Sequence, residues 1–168
     1  KVWIVIRFQV ECMIIKAEIS QVIGLLELLK SYDGKMDIAA LASTLRMEID
    51  DLFPIIDTAE YFGLVATSEG DIQLTDVGYR LSESKLIEKK KILKNQLSKL
   101  EPFVSIIKSL QEKGELEREE LIEILSSTPH RIENIDHFLN SVITLGSFSN
   151  IFYYNGDAKR IYLKRKPK

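Results

Sequence analysis

The sequence has 168 residues, of which 45% are hydrophobic and 29% charged, a composition typical of a globular chain with a real core and not of a long disordered one. Its single cysteine excludes an intramolecular disulfide framework and a Cys-rich zinc site. The formal net charge of −2 excludes a uniformly basic nucleic-acid binder, and the length suits one domain or two small ones.

Changes in hydrophobic period along the first half predict a strand, three helices and a β-hairpin. A run of β-branched and aromatic residues predicts the strand, apolar residues spaced by three and four predict the helices, and a return to alternation predicts the hairpin. In chain order these are a strand over 2–10, helices over about 20–29, 38–45 and 49–62, and a hairpin over 64–74. The second and third helices form a predicted helix-turn-helix, with the hairpin as the wing of a winged helix.

Residues with special backbone preferences mark the ends of these elements. Ser20 and Asp37 are predicted N-caps of the first two helices, and Thr75 caps a further helix after the hairpin. Gly63 stands where a left-handed glycine would end the third helix. Pro54 falls near the first turn of that helix, where proline is tolerated.

The second half repeats the pattern of the first without repeating its residues. A long helical stretch over 85–113 is interrupted at Pro102, which predicts two helices or one kinked helix. After it come a short helix over 119–125, a longer helix over 132–145 that ends near Gly146, and a second hairpin with arms over 148–154 and 160–163.

We therefore expect a mainly α fold with small β-hairpins, of the α+β class, built from tandem winged-helix units joined by long helices. The predicted domains are an N-terminal strand and linker over 1–19, a first unit over 20–84, connecting helices over 85–113 and a second unit over 114–168. A heptad-like apolar stripe in the connecting helices is expected to face the core, and a homodimer seam is the alternative.

The near-neutral total hides an uneven distribution of charge. Residues 1–84 hold 7 Lys and Arg against 14 Asp and Glu, a formal charge of −7, whereas residues 85–168 hold 16 against 11, a charge of +5. Such asymmetry indicates an interaction surface, and solvated helix faces are the simpler alternative.

Side chains with catalytic or ligand-binding chemistry do not converge anywhere in the sequence. The only Gly-Lys pair, Gly34-Lys35, lacks both the earlier glycine and the following Ser or Thr of a P-loop, and no G-x-G-x-x-G fingerprint exists. His130 and His137 have no matched third ligand, and Cys12 has neither histidine nearby in sequence. We expect no enzyme activity of this chain and no catalytic, cofactor-binding or metal-binding residues.

A winged helix also raises the alternative of DNA binding, and the two predicted units differ in that respect. Between Ile49 and Gly63 the first recognition helix has only acidic charges, which would repel phosphates. The second unit offers candidate contacts to a partner or to nucleic acid: Arg131, Asn134, His137, Lys159 and Arg160. A basic tail over 164–168 follows, and a solubilising role is its simpler interpretation.

Four stretches together resemble a known family, the AAA-associated C-terminal domain. They are residues 23–29, residues 37–45 with 49–56, residues 59–64 with 70–78, and residues 88–97. That domain follows the ATP-binding cassette in ABC transporter ATPase subunits of the nitrate, sulfonate and taurine importer type. The resemblance covers about residues 20–163 and carries no catalytic residue onto this chain.

The resemblance implies a regulatory, protein-interaction accessory domain whose partner is an ABC-type ATPase cassette or a transporter subunit. A winged-helix DNA-binding transcriptional regulator is the alternative. The longest apolar run near the start, residues 2–6, is too short to span a bilayer, so we expect a cytoplasmic chain that meets the membrane only through a transporter complex. Residues 1–19 are too short to hold a cassette, which leaves an excised domain and a stand-alone version open.

Overall fold

The structure, a computed structural model, describes residues 15–128 and 132–163. Those residues form a mainly helical fold with eight helices and two antiparallel sheets of three strands each. The expected mainly α architecture with small β-hairpins is therefore confirmed. The strand predicted over 2–10, Cys12, His130 and the basic tail over 164–168 lie outside the described residues.

The first half folds as a helix, a strand, two helices and a hairpin. Its elements are α1 (Ile19–Ser31), β1 (Lys35–Asp37), α2 (Ile38–Leu45), α3 (Ile49–Tyr61), β2 (Val65–Ser68) and β3 (Asp71–Leu74). The strand order is β1-β3-β2, and β3 runs antiparallel to both neighbours. Two further helices, α4 (Asp76–Glu83) and α5 (Leu86–Leu97), lead into the second half.

The second half repeats this order of elements. It contains α6 (Phe103–Lys113), β4 (Glu115–Glu117), α7 (Arg118–Ser126), α8 (Ile135–Phe148), β5 (Phe152–Asn155) and β6 (Arg160–Leu163). Its strand order is β4-β6-β5, which matches the first sheet strand for strand. The helix α6 therefore corresponds to α1 and belongs to the second repeat, whereas the sequence pattern assigned it to the connecting helices.

Apolar side chains from both repeats pack into one cluster of buried residues. Phe62, Phe103 and Phe152 are among its largest fully buried members. Each buried aromatic of this kind removes about 150–250 Å² of surface from water, so these rings contribute strongly to the core. The break at Pro102 separates α5 from α6, as predicted, and lets both helices contribute to that core.

Three of the residues predicted to mark the ends of helices are confirmed in that role. The Asp37 side chain accepts a hydrogen bond from the Ala40 N–H at 2.8 Å, and the Thr75 hydroxyl accepts one from the Gly78 N–H at 3.0 Å. Gly63 follows the end of α3 with φ of +70°, the left-handed conformation that glycine adopts without strain.

The predicted cap of the first helix is wrong, and two other predicted positions differ from the structure by two residues. Helix α1 starts before Ser20, because the side chains and backbone of Glu18 and Gln21 satisfy each other in a capping box. Helix α8 continues past Gly146 to Phe148. Pro54 is the sixth residue of α3 and not part of its first turn, so the helix loses one backbone hydrogen bond there.

Two short strands, β1 and β4, were not predicted. Each has three residues and is held in place by pairing with a strand distant in sequence, Met36 with Ile72 and Leu116 with Ile161. Three residues are too few for an alternating pattern to be distinguished from a turn, so only tertiary pairing defines these strands.

Candidate interaction surfaces

The start of α8 holds two of the residues predicted to contact a partner, and one of them acts as a helix cap. The Asn134 side-chain oxygen accepts a hydrogen bond from the His137 N–H at 3.0 Å, so Asn134 satisfies a backbone donor in the first turn. The imidazole of His137 is exposed. Arg131 lies outside the described residues.

The second hairpin holds the other two predicted contact residues, and one of them, Arg160, forms ion pairs with residues of the same chain. Its guanidinium forms ion pairs with Glu115, at 2.6 Å, and with Glu117, both on the neighbouring strand β4. The field of Glu115, and then that of Glu117, raises the pKa of Arg160. Lys159 is exposed at the turn with a positive φ of 50°. Because two carboxylates face Arg160, this end of the hairpin is less positive than the sequence suggests.

Two tyrosines share the outer face of this second sheet, a feature that the sequence analysis missed. Tyr153 and Tyr162 are directly paired across strands β5 and β6, with ring centroids 6.4 Å apart. Half of Tyr153 remains exposed. The alternation of Phe152-Tyr153-Tyr154 could have placed Tyr153 on the outer face, but the cross-strand partner depends on the register.

The corresponding face of the first sheet has no aromatic residue. It carries Lys35, whose amino group pairs with Asp71 at 2.8 Å, and a shallow depression of about 210 Å³ lies there. A second depression of about 380 Å³ lies beside Asp76 and Tyr79. Among the described residues, no group of three or more His, Cys, Asp or Glu side chains could hold a metal ion.

Helix α3 has an acidic start next to exposed aliphatic side chains. Glu48, Asp50 and Asp51 are exposed there, and the last residue of α2, Leu45, is 36% exposed while Ile49 is 40% exposed. We call these five residues the α3 corner. The two aspartates in the first turn also favour the positive end of the helix dipole.

The middle of α3 is contacted by the segment that precedes α1. The Lys16 amino group pairs with Asp57 at 3.1 Å, and the Lys16 backbone N–H donates to the Thr58 hydroxyl at 3.0 Å. Ile15 is buried in the same segment. Helix α3, which the sequence predicts as a recognition helix, is therefore partly covered by the chain itself and is acidic at its start.

Helix α5 has exposed aliphatic residues beside lysines. Leu86 is 57% exposed and Ile87 is 75% exposed at its first turn. Lys91 and Lys94 follow Ile87 at positions i+4 and i+7, which places all three on one face. With the exposed Lys85 just before the helix, these five residues form what we call the α5 surface.

Comparison with known families assigns the chain to one of them. The sequence model of the C-terminal AAA-associated domain matches residues 39–155, which is more than half of the chain. The chain belongs to that family. Membership implies association with an ATPase-type partner. Neither the curated proteins nor the solved structures that were compared gives a match.

The region matched by the AAA-associated family runs from α2 to the last residue of β5. It contains the α3 corner and the α5 surface, but it ends before Lys159 and Arg160. No helix among the described residues of this AAA-associated domain is long and apolar enough to cross a bilayer.

Proposed function

We propose that this AAA-associated domain is a non-catalytic accessory domain that binds an ABC-type transporter ATPase through protein contacts and regulates it. The family match carries the proposal, because it links the chain to an ATPase-type partner. The specific link to ABC transporters rests on the stretches that resemble domains downstream of ATP-binding cassettes. In this role the chain would work in the cytoplasm and reach the membrane only through the transporter complex.

We also propose that each repeat is a winged helix. The order helix, strand, helix, helix, hairpin, with the strand between the first two helices completing a three-stranded sheet, supports this assignment for both repeats. Winged helices often bind DNA through the second helix of the helix-turn-helix, which enters the major groove. The charge on that helix therefore helps to distinguish a DNA partner from a protein partner.

The electrostatics of both repeats favour a protein partner. In the first repeat the start of α3 is acidic, and carboxylates facing phosphates would oppose binding. In the second repeat Arg160 is paired with two glutamates, so a phosphate would have to compete with them. These contacts mean that neither the start of α3 nor Arg160 offers a free basic surface for DNA, which disfavours the transcriptional-regulator alternative.

The proposal that the domain has no catalytic role rests on the sequence. Gly34-Lys35, the only Gly-Lys pair, is followed by Met36 and has Leu29 five residues before Gly34, so a phosphate-binding loop is not encoded there. The Lys35 amino group pairs with Asp71 on the neighbouring strand, which gives this lysine a structural partner. ATP hydrolysis in the complex would therefore belong to the partner.

Co-expression of this chain with an ABC-type ATPase subunit of the nitrate, sulfonate or taurine importer class tests the proposal. We expect the two to co-elute in size-exclusion chromatography, and we expect the chain to change the ATPase rate of the subunit while hydrolysing no ATP alone. A cassette from an unrelated exporter serves as the control partner.

Binding of the chain to duplex DNA at low salt tests the alternative function. Failure to co-elute with the cassette, together with duplex binding that weakens steeply with salt and is reduced by Lys159→Glu, would overturn the proposal in favour of a DNA-binding regulator.

A further inference from the structure

The α5 surface exposes more aliphatic area than an isolated surface residue normally does. Leu86 and Ile87 are adjacent and both more than half exposed, whereas single exposed apolar residues are scattered over most proteins and need no explanation. Two neighbouring side chains of this size indicate an area that another surface covers.

The charges near these two side chains are mainly positive, and Glu88 is the exposed carboxylate among them. Lys85 and Lys94 have no acidic partner within 4.0 Å among the described residues, and the Lys91 amino group is 3.8 Å from Glu88 in a pair that is exposed on both sides. An exposed pair of this kind gives little stabilisation and leaves the lysine available. A surface that covers Ile87 should therefore be acidic around an apolar centre.

The α3 corner has this composition. Leu45 and Ile49 supply its partly exposed apolar side chains, and the exposed Glu48, Asp50 and Asp51 lie within two residues of Ile49 in sequence. The exposed Arg46, next to Leu45, is the one cation in this stretch, so its formal charge is −2. None of these carboxylates has a cationic partner within 4.0 Å among the described residues, so their charge is available to a partner surface.

We propose that the α5 surface of one copy of this chain binds the α3 corner of a second copy. Each surface offers two exposed aliphatic side chains, and the charged residues beside them are mainly basic in the α5 surface and mainly acidic in the α3 corner. Ile49 and Ile87 both remain exposed in the single chain, so the two surfaces do not cover each other within one molecule.

The contact joins two different surfaces, so it is heterologous. Such contacts generate open chains of molecules unless the rotation closes a ring, or unless both surfaces pair reciprocally in a two-fold dimer. In all of these arrangements each contact pairs one α5 surface with one α3 corner. This self-association goes beyond the proposed role beside an ATPase and does not depend on it.

Two variants disable one surface each and suit the helix positions that they occupy. Ile87→Asp puts a carboxylate in the first turn of α5, where the helix dipole favours it, and opposes the α3 corner. Leu45→Lys puts a cation at the last residue of α2, where the dipole also favours it, and opposes the α5 surface. Val104→Asp, at an exposed aliphatic position in the first turn of α6, is the matched control.

Sedimentation velocity at rising protein concentration measures the association, and circular dichroism verifies that each variant is folded. We expect the wild type and Val104→Asp to associate, more weakly at high salt because the charges are then screened. We expect each single variant to raise the dissociation constant at least about tenfold.

A mixture of the two variants provides the decisive measurement. Ile87→Asp retains an intact α3 corner and Leu45→Lys retains an intact α5 surface, so the mixture should form a 1:1 complex at concentrations where neither variant associates alone. A monomeric wild type at all concentrations would overturn the proposal and indicate that another protein or a lipid surface covers Ile87. Failure of the mixture to associate, or equal loss in Val104→Asp, would overturn it as well.

Discussion

Gly78, the third residue of α4, allows a close approach between that helix and the chain entering β2. A Cβ atom at this position would lie 1.8 Å from the carbonyl oxygen of Leu64 and 2.8 Å from its carbonyl carbon. The same Leu64 oxygen accepts a hydrogen bond from the Thr75 N–H at 3.1 Å. Gly78→Ala therefore forces backbone apart at the point where the hairpin joins α4.

The opposing free-energy contributions of Gly78→Ala can be compared. Alanine is favoured over glycine in a helix by about 1 kcal/mol. Overpacking typically costs about 1–3 kcal/mol, and more when rigid backbone is the obstacle. Weakening the hydrogen bond between Thr75 and Leu64 costs about 1 kcal/mol. We expect a net loss of about 2 kcal/mol, which corresponds to a fall in Tm of about 4–8 °C for a chain of this size.

Gly24→Ala is the matched control for this prediction. Gly24 is exposed in α1, and a Cβ there would meet no heavy atom within 4 Å, so only the helix preference remains and the variant should gain up to about 1 kcal/mol. Thermal and urea denaturation followed by circular dichroism compare both variants with the wild type. A Gly78→Ala protein as stable as the wild type, or equal losses in both variants, would refute the reasoning.

Three further predictions use the same denaturation measurements. Gly146→Ala places a Cβ 2.2 Å from an aromatic ring of β5 and should destabilise the second repeat by about 1–3 kcal/mol, with increased hydrogen exchange in α8 as the readout. Thr58→Val removes the hydroxyl that accepts from the Lys16 N–H, so the free energy of unfolding should fall by about 1 kcal/mol and the Lys16 amide should exchange faster; unchanged exchange would contradict the contact. The hydrogen bond from Lys113 lowers the pKa of the Glu120 carboxyl. The stabilisation that the ionised Glu120 gives to the fold is therefore complete above the ordinary pKa of 4.5 and is lost as pH falls through the lowered pKa. Glu120→Gln should therefore flatten the dependence of Tm on pH below 4.5, and a curve identical to that of the wild type would refute the assignment.

Local signals predicted the helices and hairpins well where they depend on neighbours in sequence. Asp37 and Thr75 accept hydrogen bonds from N–H groups three residues later, and Gly63 adopts its own left-handed backbone, so the residue types alone were informative. The start of α1 was placed wrongly because Glu18 competes with Ser20 as the cap, through a contact with Gln21.

Candidate contact residues were harder to assess, because their availability depends on their partners. The sequence alone presents Arg160 as a cation in the basic half of the chain, but β4 brings Glu115 and Glu117 beside it. The strand β4 was itself not predicted, so neither ion pair could be expected from the sequence. Conversely, the position of Ile87 in a helical pattern does not tell whether its side chain is buried or exposed, so its exposure was not predicted.

The sequence by itself determined the helical period, the caps at Asp37 and Thr75, the hairpins, the uneven charge and the resemblance to the AAA-associated family. Each of these depends on residue types or on residues close together in the chain. Tertiary structure alone decided that β1 and β4 complete two matching sheets, and that Lys16 contacts α3. It also decided which charged and aliphatic side chains remain available to a partner. Those properties depend on pairing and packing between residues distant in sequence, such as Lys16 with Asp57 and Arg160 with Glu115, which no local pattern specifies.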